Sequence, residues 1–166
     1  MIESLASSPE TLAGLAALLV EATATGASVG FLHPLAPEKA AAFWRHSLAE
    51  AAAGRRFVLG ARDGAALVGT VTLAFAGPEN QPHRADVQKL IVARSHRRRG
   101  IGERLMAEAE SLAARSGKSL LVLDTATADA ARLYERTGWN LTGEIPGYAL
   151  LPNGEPCATA IYWKRV

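Results

Sequence analysis

The run from Asp86 to Arg104, D-V-Q-K-L-I-V-A-R-S-H-R-R-R-G-I-G-E-R, limits what this chain can become more than any other stretch. Its first half is β-forming: Val87, Leu90, Ile91 and Val92 suit a pleated, half-buried surface. Arg97, Arg98 and Arg99 then meet Gly100 and Gly102. From Ile101 the apolar period changes from two to about 3.6, which sets Ile101, Leu105, Ala109 and Leu112 on one face. The spacing predicts a strand, a basic turn and a helix. The first N–H groups of a helix have no partner inside it, and the positive end of its dipole falls on them. With arginines beside them and glycine allowing close approach, they form an anion site. The turn is therefore expected to hold a phosphate-bearing ligand.

Two common phosphate loops are excluded. No second glycine stands at the nucleoside-triphosphatase spacing and no Lys-Ser/Thr pair follows Gly100; the dinucleotide pattern G-x-G-x-x-G fails at Leu105. A nucleic-acid patch is also disfavoured. The basic density from Arg94 to Arg99 sits on one turn without an aromatic stacking set.

A second informative stretch is L-L-V-L-D-T-A-T-A-D-A-A-R-L-Y-E-R-T-G-W, from Leu120 to Trp139. An apolar strand ends at Asp124, and a helix follows with Ala130, Leu133, Tyr134 and Thr137 on one face. A phenol with a pKa near ~10 stays protonated at neutral pH and can donate to a developing anion. Asp86 opens the strand leading into the basic turn, and Asp124 closes the strand leading into the tyrosine helix. Adjacent strands that splay at a ligand site would bring Asp86, Asp124 and Tyr134 to one cleft, where a carboxylate can take the proton of an amine. Each carboxylate also has a plain alternative: Asp86 can pair with Arg84, and Asp124 can cap the next helix.

Arg97-x-x-Gly100-x-Gly102 after an apolar strand resembles the acyl-CoA loop of the GNAT N-acetyltransferases, Gln/Arg-x-x-Gly-x-Gly/Ala. Ala130, Tyr134, Gly138 and Trp139 resemble that family's second signature, in the same order along the chain. The resemblance implies a GNAT acyl-CoA N-acyltransferase fold: mixed α/β, with a central, mostly antiparallel sheet flanked by helices. It implies acetyl-CoA as co-substrate, no metal, and a small amine as acceptor. Arg97, Arg98, Arg99, Gly100, Ile101, Gly102 and Glu103 would hold the pyrophosphate, and Leu90, Ile91 and Val92 the pantetheine. Tyr134 would lie beside the CoA sulfur and protonate the departing thiolate. Where the family usually has an asparagine after the strand, this chain has Asp124-Thr125, which suits a carboxylate working on the acceptor.

Further segments are similar to the tabtoxin-resistance acetyltransferase group: Ala27–Phe31, Arg84–Leu90, Leu121–Thr125, Gly143–Tyr148 and Thr159–Lys164. That group acetylates tabtoxinine-β-lactam, which makes this toxin a candidate acceptor and resistance a candidate role, in a bacterial setting. By the same resemblance, Asp86 and Asp124 match acidic positions near the acceptor. Protein or peptide N-acetylation and a CoA-binding module without turnover are the alternatives.

The remaining chain fits this frame. With 166 residues, 49% of them hydrophobic and 20% charged, one domain spanning 1–166 can bury a sizeable core. The helices are expected at 9–24 (Leu12, Leu15, Ala16, Leu19, Val20) and from Pro37 to about Ala53 (Ala40, Phe43, Trp44, Ser47, Leu48, Ala51). Phe57–Ala61 and Leu67–Phe75 read as a hairpin about Asp63-Gly64, Arg84–Val92 as the next strand, and Leu120–Asp124 as a parallel crossover partner. Trp139–Ile145 and Ala158–Lys164 make a second hairpin through Pro152-Asn153-Gly154. One cysteine, Cys157, excludes an internal disulfide framework and suits a reducing cytoplasm. The four histidines show no metal spacing, and neither a signal peptide nor a membrane span is expected. Apolar residues such as Trp163 make the C-terminal strand a candidate homodimer surface.

Overall fold

The structure is a computed structural model that describes residues 1–166. The elements, in chain order, are β1 (Ile2–Ser4), α1 (Pro9–Ala24), α2 (Pro37–Ala52), β2 (Arg56–Asp63), β3 (Ala66–Phe75), β4 (Arg84–Val92), α3 (Ile101–Arg115), β5 (Leu120–Thr125), α4 (Ala128–Arg136), β6 (Asn140–Leu150) and β7 (Pro156–Arg165). A single 3₁₀ turn over Arg94–His96 lies between β4 and α3.

The helices begin where local chemistry starts them. Ser8 accepts from the Thr11 N–H at the head of α1, with Pro9 at its first position. Thr127 does the same for α4 through the Ala130 N–H. Helix α2 begins on Pro37 without a side-chain cap. Helix α3 also has no side-chain cap, and the site depends on this.

Seven strands form one sheet in the order β1-β2-β3-β4-β5-β7-β6. Only β4 and β5 run parallel, joined over α3 as expected for a strand–helix–strand unit. All other pairs are antiparallel. The mixed, mostly antiparallel sheet flanked by helices agrees with the sequence reading. The short β1 strand was not expected: three residues pairing with β2 from Ile2↔Ala61 to Ser4↔Leu59 are too few to show an alternation. β6 also continues past Ile145 to Leu150, through irregularities at Leu141/Gly143 and Ile145/Ala149.

The two faces bury different cores. On one side α3 and α4 cover Val71, Leu73, Ala85, Val87, Leu121 and Leu123 with Ile101, Leu105, Met106, Ala109 and Tyr134. On the other side α1 and α2 place Leu15, Leu19, Ala40, Trp44 and Leu48 around Val58 and Ile91. Trp44, on the expected buried stripe of α2, is fully buried in this second core. Truncating a fully buried leucine such as Leu105 to alanine costs about 2–5 kcal/mol.

Candidate active site

β4 and β5 pair only from Arg84↔Leu120 to Asp86↔Val122. β4 then continues to Val92 and β5 to Thr125 without meeting. β5 remains paired with β7 through Thr125↔Ala160, so the sheet opens as a V between two well-held strands. The backbone of β4 beyond Asp86 therefore faces an open space on its β5 side.

An extra residue in β4 shapes that opening. Opposite Thr70 and Thr72 of β3 stand Ile91 and Gln88, so two steps on β3 match three on β4. The bulge coincides with Lys89, whose φ of 54° is left-handed. Facing reverses across it: Ala85 and Val87 lie in the α3–α4 core, and so do the flanks of Leu90 and Val92, while Ile91 turns to the α1–α2 core. Farther along, the Ala93 N–H donates to the Val68 carbonyl (2.9 Å). Hydrogen bonding alternates along an antiparallel ladder, so Val92, opposite Gly69, directs its N–H and C=O into the opening. Its carbonyl accepts from Arg97 Nε (3.2 Å).

The basic turn lies at the mouth of the V. Gly100 caps α3 with φ 73°, and Arg98 is left-handed at φ 60°. This geometry turns successive N–H groups toward one side, as anion-binding nests do. The first N–H with a helical partner is that of Arg104, which donates to the Gly100 carbonyl (3.1 Å). Ile101, Gly102 and Glu103 thus offer unpaired N–H groups at the positive end of the dipole. A Cβ at Gly102 would meet Leu133 only at 3.5 Å, ordinary contact, so nothing in the chain itself requires glycine there. A small residue there leaves the backbone open to close approach by an anion. Arg97, Arg98 and Arg99 are exposed around this turn. The Glu103 side chain points elsewhere, to Arg136 of α4 (3.4 Å).

At the other end of the V stand Tyr134 and Asp124. Tyr134 is 5% exposed, packed beside Trp139 and Tyr162 with ring centroids 6.0 and 5.8 Å away. The Tyr162 hydroxyl donates to Glu135 (2.9 Å), whereas the Tyr134 hydroxyl has no partner in the chain. Burial pushes the Tyr134 phenol up, and the charge of Asp124 pushes it further in the same direction. Asp124 itself is exposed and accepts from the Thr159 hydroxyl (3.1 Å). The two thus share one neighbourhood. Asp86 is half-buried and paired with Arg84 at 2.5 Å, and Arg84 also donates to Gln81 (2.8 Å). Asp86 sits where β4 and β5 are still paired, one step below the opening.

Lys89, which the sequence reading passed over, stands at the same opening. Its ammonium lies 5.4 Å from the centre of the Phe43 ring, against Gly30. Burial pulls its pKa down, Asp124 partly offsets this, and Arg56 adds to the lowering. A signal for it was present. In an unbroken strand Lys89 would share the buried row of Ala85, Val87 and Ile91, a position no unpaired charge tolerates. A lysine in a core row marks either a bulge or a site.

A seven-stranded mixed sheet split between its parallel strands, with an uncapped glycine-led helix at one end of the split and a buried tyrosine at the other, is the arrangement of an acyl-CoA-dependent acetyltransferase. Residues 14–139 match the acetyltransferase (GNAT) family, and the chain belongs to that family. Its fold is similar to that of ribosomal-protein-alanine N-acetyltransferase from Brucella melitensis, at 19% identity and TM-score 0.82, covering 100% of this chain and 99% of the other. It is similar at 15% identity and TM-score 0.81 to yncA from Salmonella typhimurium, a structure with its cofactor acetyl-CoA, covering 99% and 94% of the two chains. An aminoglycoside 6'-N-acetyltransferase complexed with coenzyme A matches at 18% identity and TM-score 0.75, over 99% and 96%.

Proposed function

We propose that this chain is a single-domain N-acetyltransferase that moves the acetyl group of acetyl-CoA directly to the amine of a small, amino-acid-like molecule. The observation that carries the reading is the V itself: unpaired helix N–H groups at its mouth and an unpartnered buried phenol at its far end. Bound acetyl-CoA supplies an activated thioester. The N–H groups of Ile101, Gly102 and Glu103, with Arg97, Arg98 and Arg99 nearby, bind the pyrophosphate. The backbone of Leu90, Ile91 and Val92 orients the pantetheine. The Val92 N–H, directed into the opening, stabilises charge developing on the carbonyl oxygen. Tyr134 donates its proton to the sulfur as the C–S bond breaks, and its raised pKa keeps that proton in place at neutral pH. Asp124 takes the proton of the attacking amine, directly or through water. Asp86, already bound to Arg84, is the second candidate for that role.

Tabtoxinine-β-lactam is one candidate acceptor of this kind, with toxin resistance as the matching role and the cytoplasm as the place of action. No helix is long and apolar enough to cross a membrane. The C-terminal strand β7, expected as the dimer surface, is paired on both sides and Trp163 is half-buried; exposed Leu141, Ile145 and Leu150 on the edge strand β6 support a homodimer through that edge instead.

The test is CoA release from acetyl-CoA across a panel of amines, amino acids and peptides, followed by Asp124→Asn. Turnover should fall about 100-fold or more while the affinity for acetyl-CoA is kept. If no member of the panel releases CoA above background, the acetyltransfer reading is wrong for these acceptors. If turnover is undiminished in Asp124→Asn, that residue is not the base.

A further inference from the structure

We infer that Lys89 is the specificity-determining residue of the acceptor site, binding a carboxylate on the acceptor, so that the amine acetylated here belongs to an anionic, amino-acid-type molecule. The inference rests on the acetyl-transfer reading above and deepens it. Four observations carry it.

Lys89 is placed by a feature that costs free energy. It is a non-glycine residue in the left-handed region, at the bulge where β4 leaves β5. The bulge turns its side chain away from the α3–α4 core and toward Gly30 and Phe43 on the α1–α2 side.

Second, the ammonium has no anion of its own. It makes no ion pair and no hydrogen bond in the chain, although burial pulls its pKa down. Asp124 is near enough for its charge to be felt, but its carboxylate is held by the Thr159 hydroxyl at 3.1 Å instead. A buried cation without a partner is costly, and a bound carboxylate removes that cost.

Third, other donors on the same side of the sheet are also unsatisfied. Arg56 shares the α1–α2 face with Val58 and reaches Ser47 of α2 through one Nη (3.3 Å), yet its Nε is buried without an acceptor. Thr72, between Val58 and Gln88 in the sheet register, has a buried hydroxyl with no partner, and so has the Trp44 indole N–H. Arg56 lies close enough to lower the Lys89 pKa. Unsatisfied buried polar groups are rare and call for a reason. Of these donors Arg56 is the one tied to Lys89, and two cations short of acceptors on one face mark it as prepared for negative charge.

Fourth, the charges on the two sides of the opening are opposite. Lys89 stands on β4 and Asp124 on β5. A zwitterionic acceptor fits this polarity, with its carboxylate toward Lys89 and its amine toward Asp124, the group that receives the amine proton. A neutral or polycationic amine leaves Lys89 unpaired or repels it.

The experiment compares matched acceptors that differ only in the carboxylate: L-histidine with histamine, L-tyrosine with tyramine, L-arginine with agmatine, L-lysine with cadaverine, and L-glutamate with γ-aminobutyrate, which keeps one carboxylate. CoA release gives kcat and KM for each in the wild type, Lys89→Met and Lys89→Arg. The wild type should favour the carboxylate-bearing member of at least one pair. Lys89→Met should raise KM for that acceptor roughly 10- to 100-fold, the range for losing a hydrogen bond to a charged group. KM for acetyl-CoA should be unchanged, which also shows that the variant folds. Lys89→Arg should restore most of the preference. Equal use of both members of every pair by the wild type, or a preference that survives in Lys89→Met, overturns the assignment while leaving acetyl transfer intact. If neither kind of amine releases CoA, acetyl transfer to small amines fails and the Lys89 assignment fails with it.

Discussion

Replacing Tyr134 with phenylalanine separates chemistry from folding in this protein. The ring is 5% exposed and touches Trp139 and Tyr162, so phenylalanine keeps all of the apolar packing. The hydroxyl it removes has no partner in the chain. Losing an unpartnered hydroxyl changes stability by less than about 1 kcal/mol, because no hydrogen bond is broken and no acceptor is stranded. Truncation to alanine would instead remove the ring from the core and cost about 3–5 kcal/mol. If Tyr134 protonates the thiolate, Tyr134→Phe loses a general acid, worth about 100- to 10,000-fold in kcat, or about 2.7–5.4 kcal/mol of barrier. The assay is steady-state CoA release, run beside thermal unfolding and acetyl-CoA binding. Tyr162→Phe is the control. It breaks a real hydrogen bond, to Glu135 at 2.9 Å, and should cost about 1 kcal/mol of stability with kcat kept. The reasoning is refuted if Tyr134→Phe turns over like the wild type, or if its kcat falls only in proportion to lost stability.

Other expected outcomes follow from the same geometry. Because burial raises the Tyr134 pKa in the folded state, its contribution to stability is complete below the unfolded value near ~10 and is lost as pH rises toward the folded value. Denaturant titrations above pH ~10 should therefore show the wild type weakening faster than Tyr134→Phe. Gly102→Ala has room beside Leu133 at 3.5 Å and should leave stability level or raise it by up to about 1 kcal/mol. Acetyl-CoA binding should survive that change, since the acyl-CoA loop pattern also carries alanine there, whereas Gly102→Glu, which sets a carboxylate beside the helix N–H groups, should weaken it at least about tenfold in calorimetry; unchanged affinity in Gly102→Glu would remove that turn from the binding site. Glu110 accepts from Trp139 Nε1 at 2.8 Å and Lys164 Nζ at 2.7 Å, so Glu110→Ala strands the indole N–H and leaves Lys164 only the Thr137 carbonyl (2.7 Å), and should cost about 1–3 kcal/mol in chemical denaturation.

Much of the architecture was legible because it depends on periodicity. The switch from period two to 3.6 at Ile101 located α3, and Asp63-Gly64 located the β2–β3 turn. The apolar run 120–124 between a helix and a turn identified the parallel partner of β4. The Ala130–Trp139 signature located α4, where Tyr134 is the one fully buried residue. What was not legible depends on three-dimensional neighbours. β1 is held by β2, not by its own sequence. The spacing of α2 puts Trp44 on its buried stripe, and it is buried, but that α1 is the element closing over it depends on the tertiary arrangement. The pairing of Asp86 with Arg84 was one of two readings that the sequence left open, and side-chain geometry shows that the pair forms. Lys89 was missed because a strand was assumed to be regular. The reversal of facing at a bulge follows from register, which a single sequence does not state.

That reversal makes β4 two strands in opposite phase joined end to end, and so sensitive to length in a way its neighbours are not. Deleting Lys89 would restore an unbroken ladder with β3, and by local hydrogen bonding alone it would look like a repair. The site would be erased by the gain in regularity: the cation would be lost, and the backbone that now turns toward the V would be drawn back into even pairing. Chimeras built by exchanging part of this strand with a relative should therefore be cut on either side of the bulge and never counted across it. A splice that preserves every side chain but carries the extra residue beyond Ile91 would exchange Leu90 and Ile91 between the two cores.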